Sequence, residues 1–265
     1  GIRGNWAHEG KMSLQVDGQE INETLYSTTQ FGRHFPVDHI QRIEIIRGPG
    51  SALYGGYAEL GVVNIITRDA TELDGAAFST SFSEMEGTYG QRNMSLSYGT
   101  TANDLEISLH TFLGAANRSD RDYTGLNASY DGFTTYNMAN ESPLNNVHAN
   151  MAVTKGSWET RLIVDRYHTR IRDGFDAVTS SFHLAHNSLM LHSSYTFDVS
   201  DRFSLTPSFS YKQQSPWRNV NENAKAPYYY LNTITQRATS RITARLNATE
   251  NLHLLGGVEI YSDHA

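Results

Sequence analysis

The stretch Ile40-Gln-Arg-Ile-Glu-Ile-Ile-Arg47-Gly-Pro-Gly-Ser-Ala-Leu-Tyr54-Gly-Gly-Tyr-Ala-Glu-Leu-Gly61-Val-Val-Asn-Ile-Ile-Thr67-Arg68 decides how this chain is read. Its first part, with Ile43, Ile45 and Ile46, reads as a short strand. Gly48-Pro49-Gly50 closes that strand, because the glycines supply backbone angles that a strand cannot continue and proline removes a donor. Ser51 to Tyr54 reads as one helical turn, and Val62 to Ile66 as a buried strand. Upstream, Met12-Ser-Leu-Gln-Val16 alternates and runs into Asp17-Gly18, a strand entering a tight turn. Together these elements predict a small α+β unit over residues 1–73.

Beyond it the period changes to two. Leu105, Ile107 and Leu109 alternate with Glu106, Ser108 and His110; Phe203, Leu205, Phe209 and Tyr211 alternate with Ser204, Thr206, Ser208 and Ser210. About nine strands are expected, over 76–86, 89–99, 103–113, 145–154, 157–169, 186–197, 202–213, 234–247 and 251–262. Most are near the roughly 9–11 residues that a tilted membrane strand requires. The connections alternate: short at 100–102, 155–156, 198–201 and 248–250, long at 114–144, 170–185 and 214–233. Outer-membrane barrels alternate short periplasmic turns with long extracellular loops in this way. The fold class expected is mainly β: a transmembrane antiparallel β-barrel, incomplete here, over 74–265, with the α+β unit at its N-terminus.

Energy sets which face of each strand meets lipid. An arginine facing lipid at the midplane costs about 2–4 kcal/mol. Arg237, Arg241 and Arg245 share one face of their strand, so together they would cost on the order of 6–12 kcal/mol there; that face is assigned to the lumen or the plug surface, where they would attract an anionic ligand or salt-bridge to the plug. Tyr98, Trp158, Tyr195, Phe197 and Phe203 sit near the short turns on the apolar parity, as a periplasmic aromatic girdle would.

Composition sets bounds without choosing a class. The 265 residues carry a net charge of −7 and no cysteine. The charge argues against general nucleic-acid binding, and the missing cysteines exclude disulfides and thiolate metal sites. No run approaches the roughly 18–20 apolar residues of a membrane helix. The mean hydropathy of −0.48 fits a soluble β-sandwich as well as a barrel, since alternating strands keep hydropathy low. The first residues show no basic start, apolar core and cleavage site, so a signal peptide is expected upstream.

The motifs add a resemblance. Ile2-Arg3-Gly4, Val16-Asp17-Gly18, Arg42-Ile43-Glu44, Arg47-Gly48-Pro49, Ser51-Ala-Leu-Tyr54-Gly55 and Gly61-Val-Val-Asn64-Ile-Ile-Thr67 occur in the order found in the plug domain of TonB-dependent outer-membrane receptors, and residues 1–68 resemble the closing part of that plug. The resemblance implies a plug inside a barrel of roughly 22 strands. It implies ligand capture at the extracellular side, and a TonB complex that pulls on an N-terminal segment expected upstream of this chain. By that measure residue 1 lies within a domain, and roughly thirteen strands lie outside the chain. In relatives the arginines of the two Arg-Gly motifs join a buried ion-pair cluster with glutamates of later strands; Arg3 and Arg47 match those positions, with partners expected beyond residue 265.

Two plug segments correspond to apical loops of the family, and they offer Trp6 and His8 in one and Tyr26, Gln30 and Phe31 in the other. Aromatic and hydrogen-bonding groups of this kind suit a bulky polar ligand or a metal chelate. The function expected is uptake of a scarce large nutrient into a Gram-negative cell, most often a ferric siderophore in this family. Cobalamin, haem or glycan are alternatives within it, and a signalling or binding receptor without transport is a second class. A soluble β adhesin is a third, which the plug motif disfavours. Outer-membrane lipid is an expected partner; no cofactor, nucleic acid or catalysis is expected. Gly48 to Gly55 lacks the Gly-Lys-Ser/Thr ending of a phosphate loop, and neither His-Glu-x-x-His nor Gly-x-Ser-x-Gly occurs. Asp120, Asp122 and Asp131 partly match a calcium loop, against which stands an ordinary Gly- and Asp-rich surface loop. His183, His186 and His192 read as solvated.

Overall fold

The computed structural model describes residues 10–28, 35–48, 50, 54, 57–126, 132–171, 182–219 and 232–265. Two sheets account for them, with one small hairpin besides. The small sheet has the order β2-β1-β4-β3, built from β1 (Met12–Val16), β2 (Gln19–Glu20), β3 (Ile40–Arg47) and β4 (Gly61–Thr67). β1 lies parallel to β4, and the other pairings are antiparallel. Asp17 and Gly18 join β1 to β2 as a two-residue turn with φ of 49° and 77°. Positive φ at both central residues is what the right-handed twist of a hairpin demands, and Asp-Gly supplies it.

The chain leaves the small sheet through α1 (Ala70–Leu73). Asp69 caps it: its carboxylate accepts from the Glu72 amide, and Glu72 accepts in return from the Asp69 amide. The Thr71 hydroxyl is the main cause that holds the Asp69 carboxyl below its usual range. Gly99 lies directly beneath this turn. A β-carbon there would come within 2.5 Å of the Leu73 β-carbon and 2.7 Å of the Ala70 carbonyl.

The large sheet, the wall, is an antiparallel meander of β5 (Gly75–Glu84), β6 (Tyr89–Ala102), β7 (Leu105–Asn117), β10 (Pro143–Lys155), β11 (Trp158–Ile171), β12 (Phe182–Tyr195), β14 (Phe203–Asn219), β15 (Thr235–Thr249) and β16 (Leu252–His264). β8 (Asp122–Leu126) and β9 (Phe133–Asn137) form a hairpin in the connection between β7 and β10, and β13 (Phe197–Ser200) pairs with β14 beside the end of β12. All nine strands expected from the alternation are present, several longer by two to six residues at the ends that face the long connections. Among the described residues no helix is long and apolar enough to cross a membrane, which leaves strand crossing untouched. The sheet does not close on itself: β5 and β16 are its edges.

Period two divides the wall into two faces. On β11, Ile163, Asp165, Tyr167 and Thr169 are buried on the side that carries the small sheet. Leu162, Arg166 and His168 are exposed on the other. The register carries the outer set across the sheet, so that Tyr98, Leu109, Met151, Leu162 and Leu191 fall in one row. A cluster of Leu14, Val16 and Ile65 from the small sheet with Ile163 and Met190 from the wall is the apolar core between the two. Ile21, Phe35, Ile40 and Val63 pack against it, partly buried, and polar side chains join the two sheets around it.

Candidate functional site at the junction of the two sheets

Three polar groups join the small sheet to the inner face of the wall. The first centres on Asp17. Its carboxylate accepts from the Thr67 amide (2.8 Å) and hydroxyl (2.7 Å), which ties the turn to the end of β4. It also accepts from Asn150 Nδ2 on β10 (2.8 Å) and Arg161 Nη1 on β11 (2.7 Å). Arg161 donates further to Asn150 Oδ1 at 3.1 Å and reaches Glu159 at 3.4 Å. The Asp17 and Arg161 side chains are only 8% and 14% exposed, so this is an ion pair largely out of water. A single turn residue therefore clasps two wall strands.

The second group lies on β14. Lys212 Nζ donates to Glu20 Oε1 and to the Asn22 carbonyl, each at 3.1 Å. Gln214 Oε1 accepts from the Thr24 amide at 3.1 Å, and the Thr24 and Thr235 hydroxyls are bonded. Asn22, fully buried, acts as a stand-in for a paired strand: its side chain accepts from the Leu14 amide and donates to the Met12 carbonyl. The third group is histidine. His110 on β7 bonds the Arg68 carbonyl (2.8 Å) and the Ser97 hydroxyl (2.9 Å). The His39 ring packs against it with centroids 4.9 Å apart. Among the described residues neither ring nitrogen of His39 has a hydrogen-bond partner. Burial, then the neighbouring His110, pull its pKa down to about 3.

At the end of the wall where the long connections emerge, Glu23 organises a loop. Its carboxylate accepts from the amides of Leu25, Tyr26 and Thr28 and from the Thr28 hydroxyl, at 2.7–3.1 Å. These donors hold the loop in one shape, with Ser27 at a φ of 60°, and the Trp217 indole N–H adds a longer bond to the same carboxylate at 3.4 Å. Tyr26, 57% exposed, projects from it and meets Trp217 of β14 edge-on, with centroids 6.3 Å apart. The row continues through His186 (4.8 Å from Trp217) to Tyr167 (6.1 Å from His186). His186 is thus buried in an aromatic row, not solvated as its sequence context suggested; the register shift between Ala185 and Asn187 leaves it opposite Trp217. His192 likewise bonds Ser210 at 2.9 Å, while His183 is exposed.

The residues singled out from sequence distribute as follows. Tyr26 stands at this apex; Trp6, His8, Gln30, Phe31 and Arg3 lie outside the described residues, as does Asp131. Arg47 ends β3 opposite Gly61, with an exposed side chain. Arg237 and Arg241 line a cavity of about 400 Å³ between β15 and the small sheet, which Tyr54, Tyr57 and Glu20 also face. Each bonds a carboxylate of β16: Arg237 to Asp263 with two bonds of 2.7 Å, Arg241 to Glu259. Their charge is met by the next strand and not by the small sheet. Arg245, on the same parity, is exposed. Asp120 accepts from the Gly87 amide and Asp122 from Asn137. Among the described residues no three histidine or acidic groups gather around a point that could hold a metal.

Sequence reasoning placed Asp17 only in a turn and passed over Glu23, Arg161, Lys212 and Trp217. A signal existed for two of them. Arg161 and Lys212 are charges in mid-strand, on the parity opposite the apolar face, the pattern that singled out Arg237 and Arg241.

Residues 1–62 match the family model described as TonB-dependent Receptor Plug Domain. Among curated proteins, the chain is 42% identical over 64 residues to the vitamin B12 transporter BtuB of Vibrio vulnificus, a match covering 24% of this chain and 10% of that protein. It is 38% identical over 101 residues to the ferric enterobactin receptor PirA of Pseudomonas aeruginosa, covering 36% and 13%. Among solved structures, the FrpB iron transporter of Neisseria meningitidis matches 98% of this chain with a TM-score of 0.62 at 15% identity. The ferric enterobactin receptor of Pseudomonas aeruginosa in complex with enterobactin matches 96% with a TM-score of 0.52 at 15% identity. The chain spans about half the length of these two, 54% and 50%. These relatives are receptors and transporters, not enzymes. A small sheet carrying the ordered motifs, within the stretch that matches the plug-domain model, clasped to one face of a long antiparallel meander, gives the chain the fold of these receptor structures over about half their length.

Proposed function

We propose that this chain is the plug-and-wall portion of an outer-membrane receptor that takes up a large iron chelate, a ferric siderophore, by TonB-coupled rearrangement of the plug. In this reading residues 1–73 are the plug and 74–265 the beginning of the barrel, in the outer membrane of a Gram-negative bacterium. The observation that carries it is the apex: Tyr26, held by Glu23 and exposed beside Trp217, gives plug and wall a shared aromatic edge at the end where the long connections emerge. Flat aromatic groups with hydrogen-bonding tips suit a bulky chelate of mixed polarity. Trp6, His8, Gln30 and Phe31 are proposed to complete that surface, and Arg3 and Arg47 to latch the plug to strands outside this chain. The relatives named for ferric enterobactin and iron support the substrate class. Cobalamin is the second reading, favoured by the 42% identity to a vitamin B12 transporter over 64 residues.

The test is binding and uptake of radiolabelled ferric siderophores and of cobalamin by cells making the full-length receptor, with and without TonB. Tyr26→Ala and Trp217→Ala should each weaken chelate binding about tenfold, the roughly 1.4 kcal/mol expected for one aromatic contact. Uptake of cobalamin but of no chelate would reject the siderophore reading. Binding without TonB-dependent accumulation would favour a receptor without transport.

A further inference from the structure

We propose that His186 is a positioning residue for the ligand. Without touching the ligand, it holds Trp217 turned toward the small sheet, across a bulge that Pro216 and Trp217 make in β14. The proposal rests on the reading of the Tyr26–Trp217 edge as the ligand site.

The bulge decides which way Trp217 points. β12 and β14 pair regularly from Ser194 opposite Ser208 to Asn187 opposite Ser215, and again at Ala185 opposite Arg218 and Leu184 opposite Asn219. Between these stretches one residue of β12, His186, faces two of β14, Pro216 and Trp217. Gln214 points to the small sheet, where it bonds Thr24. Regular alternation from Gln214 would put Pro216 on that inner face and Trp217 on the outer one. An indole there would be one more interfacial aromatic of the wall. The extra residue gives Trp217 a share of the inner position instead. Its ring meets Tyr26 there, and its indole N–H reaches the Glu23 carboxylate at 3.4 Å. Bulges beside binding sites re-aim side chains in this way.

The inward position is a strained one. Trp217 has a φ of 55°, in the left-handed region that a β-carbon disfavours. A bulky residue persists there only where its surroundings over-determine it. Two residues opposite one also disrupt the ladder and displace backbone donors. Pro216, fully buried, has no N–H to satisfy. The Trp217 N–H is accepted by His186 Nδ1 at 3.5 Å, and the two rings meet edge-on with centroids 4.8 Å apart. His186 therefore meets both needs of the bulge, a partner for the displaced donor and a surface for the turned ring. It is itself fixed, being buried and directly opposite Tyr167 of β11. Trp217 is half-buried and stands between His186 and the Tyr26 loop, so His186 acts on the edge through Trp217. An indole held in one place before the ligand arrives loses little freedom on binding, and that advantage is what His186 supplies.

The full-length receptor in detergent tests this, with a ferric tris-catecholate chelate and cobalamin as probes and 5-fluorotryptophan as the label. The fluorine resonance of Trp217 is the one that Trp217→Phe removes. His186→Phe keeps a ring and loses the acceptor. It should weaken probe binding about tenfold, as far as Trp217→Ala does, and should shift or broaden the Trp217 resonance. His186→Gln restores an acceptor and should bind within about threefold of wild type, with the resonance in place. The double variant His186→Phe/Trp217→Ala should bind no worse than Trp217→Ala, because one residue acts through the other. Wild-type binding by His186→Phe, an unmoved Trp217 resonance in that variant, or additive losses in the double variant would each overturn the proposal. Probe binding that survives both Tyr26→Ala and Trp217→Ala is a different failure, that of the ligand-site reading; the resonance in His186→Phe then still decides whether His186 holds Trp217.

Discussion

Replacing Asp17 by Asn removes one negative charge from the clasp and leaves its shape nearly intact. Arg161 then faces a neutral amide at a position only 14% exposed. Breaking a buried pair by removing one partner costs about 3–5 kcal/mol, because the remaining charge keeps its desolvation penalty. Glu159, 3.4 Å from Arg161 and 42% exposed, recovers part of this, so about 2–4 kcal/mol is expected. Arg161→Met should cost less, about 1–3 kcal/mol, because Asp17 keeps the two bonds from Thr67 and the one from Asn150. The double variant should be milder than the sum of the singles, with a coupling of at least about 1 kcal/mol. Native-state hydrogen exchange of β1 and β4 amides in the full-length receptor reads the local opening energy. Asp17→Asn should lower protection there by roughly 30- to 1,000-fold, at about 1.4 kcal/mol per tenfold, while β6 and β7 change little. A change under threefold in both single variants, or strict additivity in the double, would refute the clasp as the element that holds the plug.

Other consequences follow from the same contacts. His39, with a folded pKa of about 3 against 6.5, is neutral when folded, so the unfolded chain binds more protons below pH 6.5 and stability falls as pH drops through that value. His39's share of the loss between pH 7 and 5 should be about 2 kcal/mol, seen as reduced exchange protection of β3 and β4, and His39→Phe should flatten the slope by that share; an unchanged pH slope would contradict this. Glu23→Ala should release the Tyr26 loop, raising exchange at the Tyr26 and Thr28 amides and weakening ligand binding without altering the clasp. Gly99→Val should cost about 1–3 kcal/mol or more and expose α1 to proteolysis, since the new side chain meets backbone at Ala70.

Much of this fold was legible in the chain because the strands obey one rule without interruption. Alternation gave both the number of wall strands and the face each side chain takes, since a period of two leaves no choice once one face is apolar. Asp17-Gly18 announced its turn through the one residue pair that tolerates two positive φ angles in succession. The site was less legible, for a physical reason. Asp17 and Arg161 are 144 residues apart, and nothing local in either sequence distinguishes a clasp from a solvated turn and a lumen charge. Trp217 shows the same limit from another side: its φ of 55° and the register shift opposite it, beside the His186 ring, break the alternation that periodicity reads. The pairing of Arg237 and Arg241 with β16 instead of the plug follows from distance along the register, Arg237 opposite Asp263 and Arg241 opposite Glu259.

On the proposed reading of the small sheet as a plug, the chemistry of the junction bears on how it can be both firm and removable. An apolar core between plug and wall would be lost in one step, each buried side chain costing about 1.5–3 kcal/mol to expose. Here, among the described residues, Ile163 and Met190 are the wall residues that join the buried apolar cluster of the small sheet. The polar contacts include Asp17 with Arg161 and Asn150, Glu20 and Asn22 with Lys212, Thr24 with Gln214 and Thr235, Glu23 with Trp217, and Arg68 with His110. Hydrogen bonds of this kind contribute about 0.5–1.5 kcal/mol each when water can replace the partner, but considerably more while water is excluded. Opening is therefore steep at first, when the desolvated Asp17–Arg161 pair must part, and shallow once water enters. A directed pull of small amplitude that floods the clasp would weaken the other contacts in turn, without work against a large dry interface. The same argument puts the clasp, and not the apolar cluster, at the point where a single substitution changes the force needed.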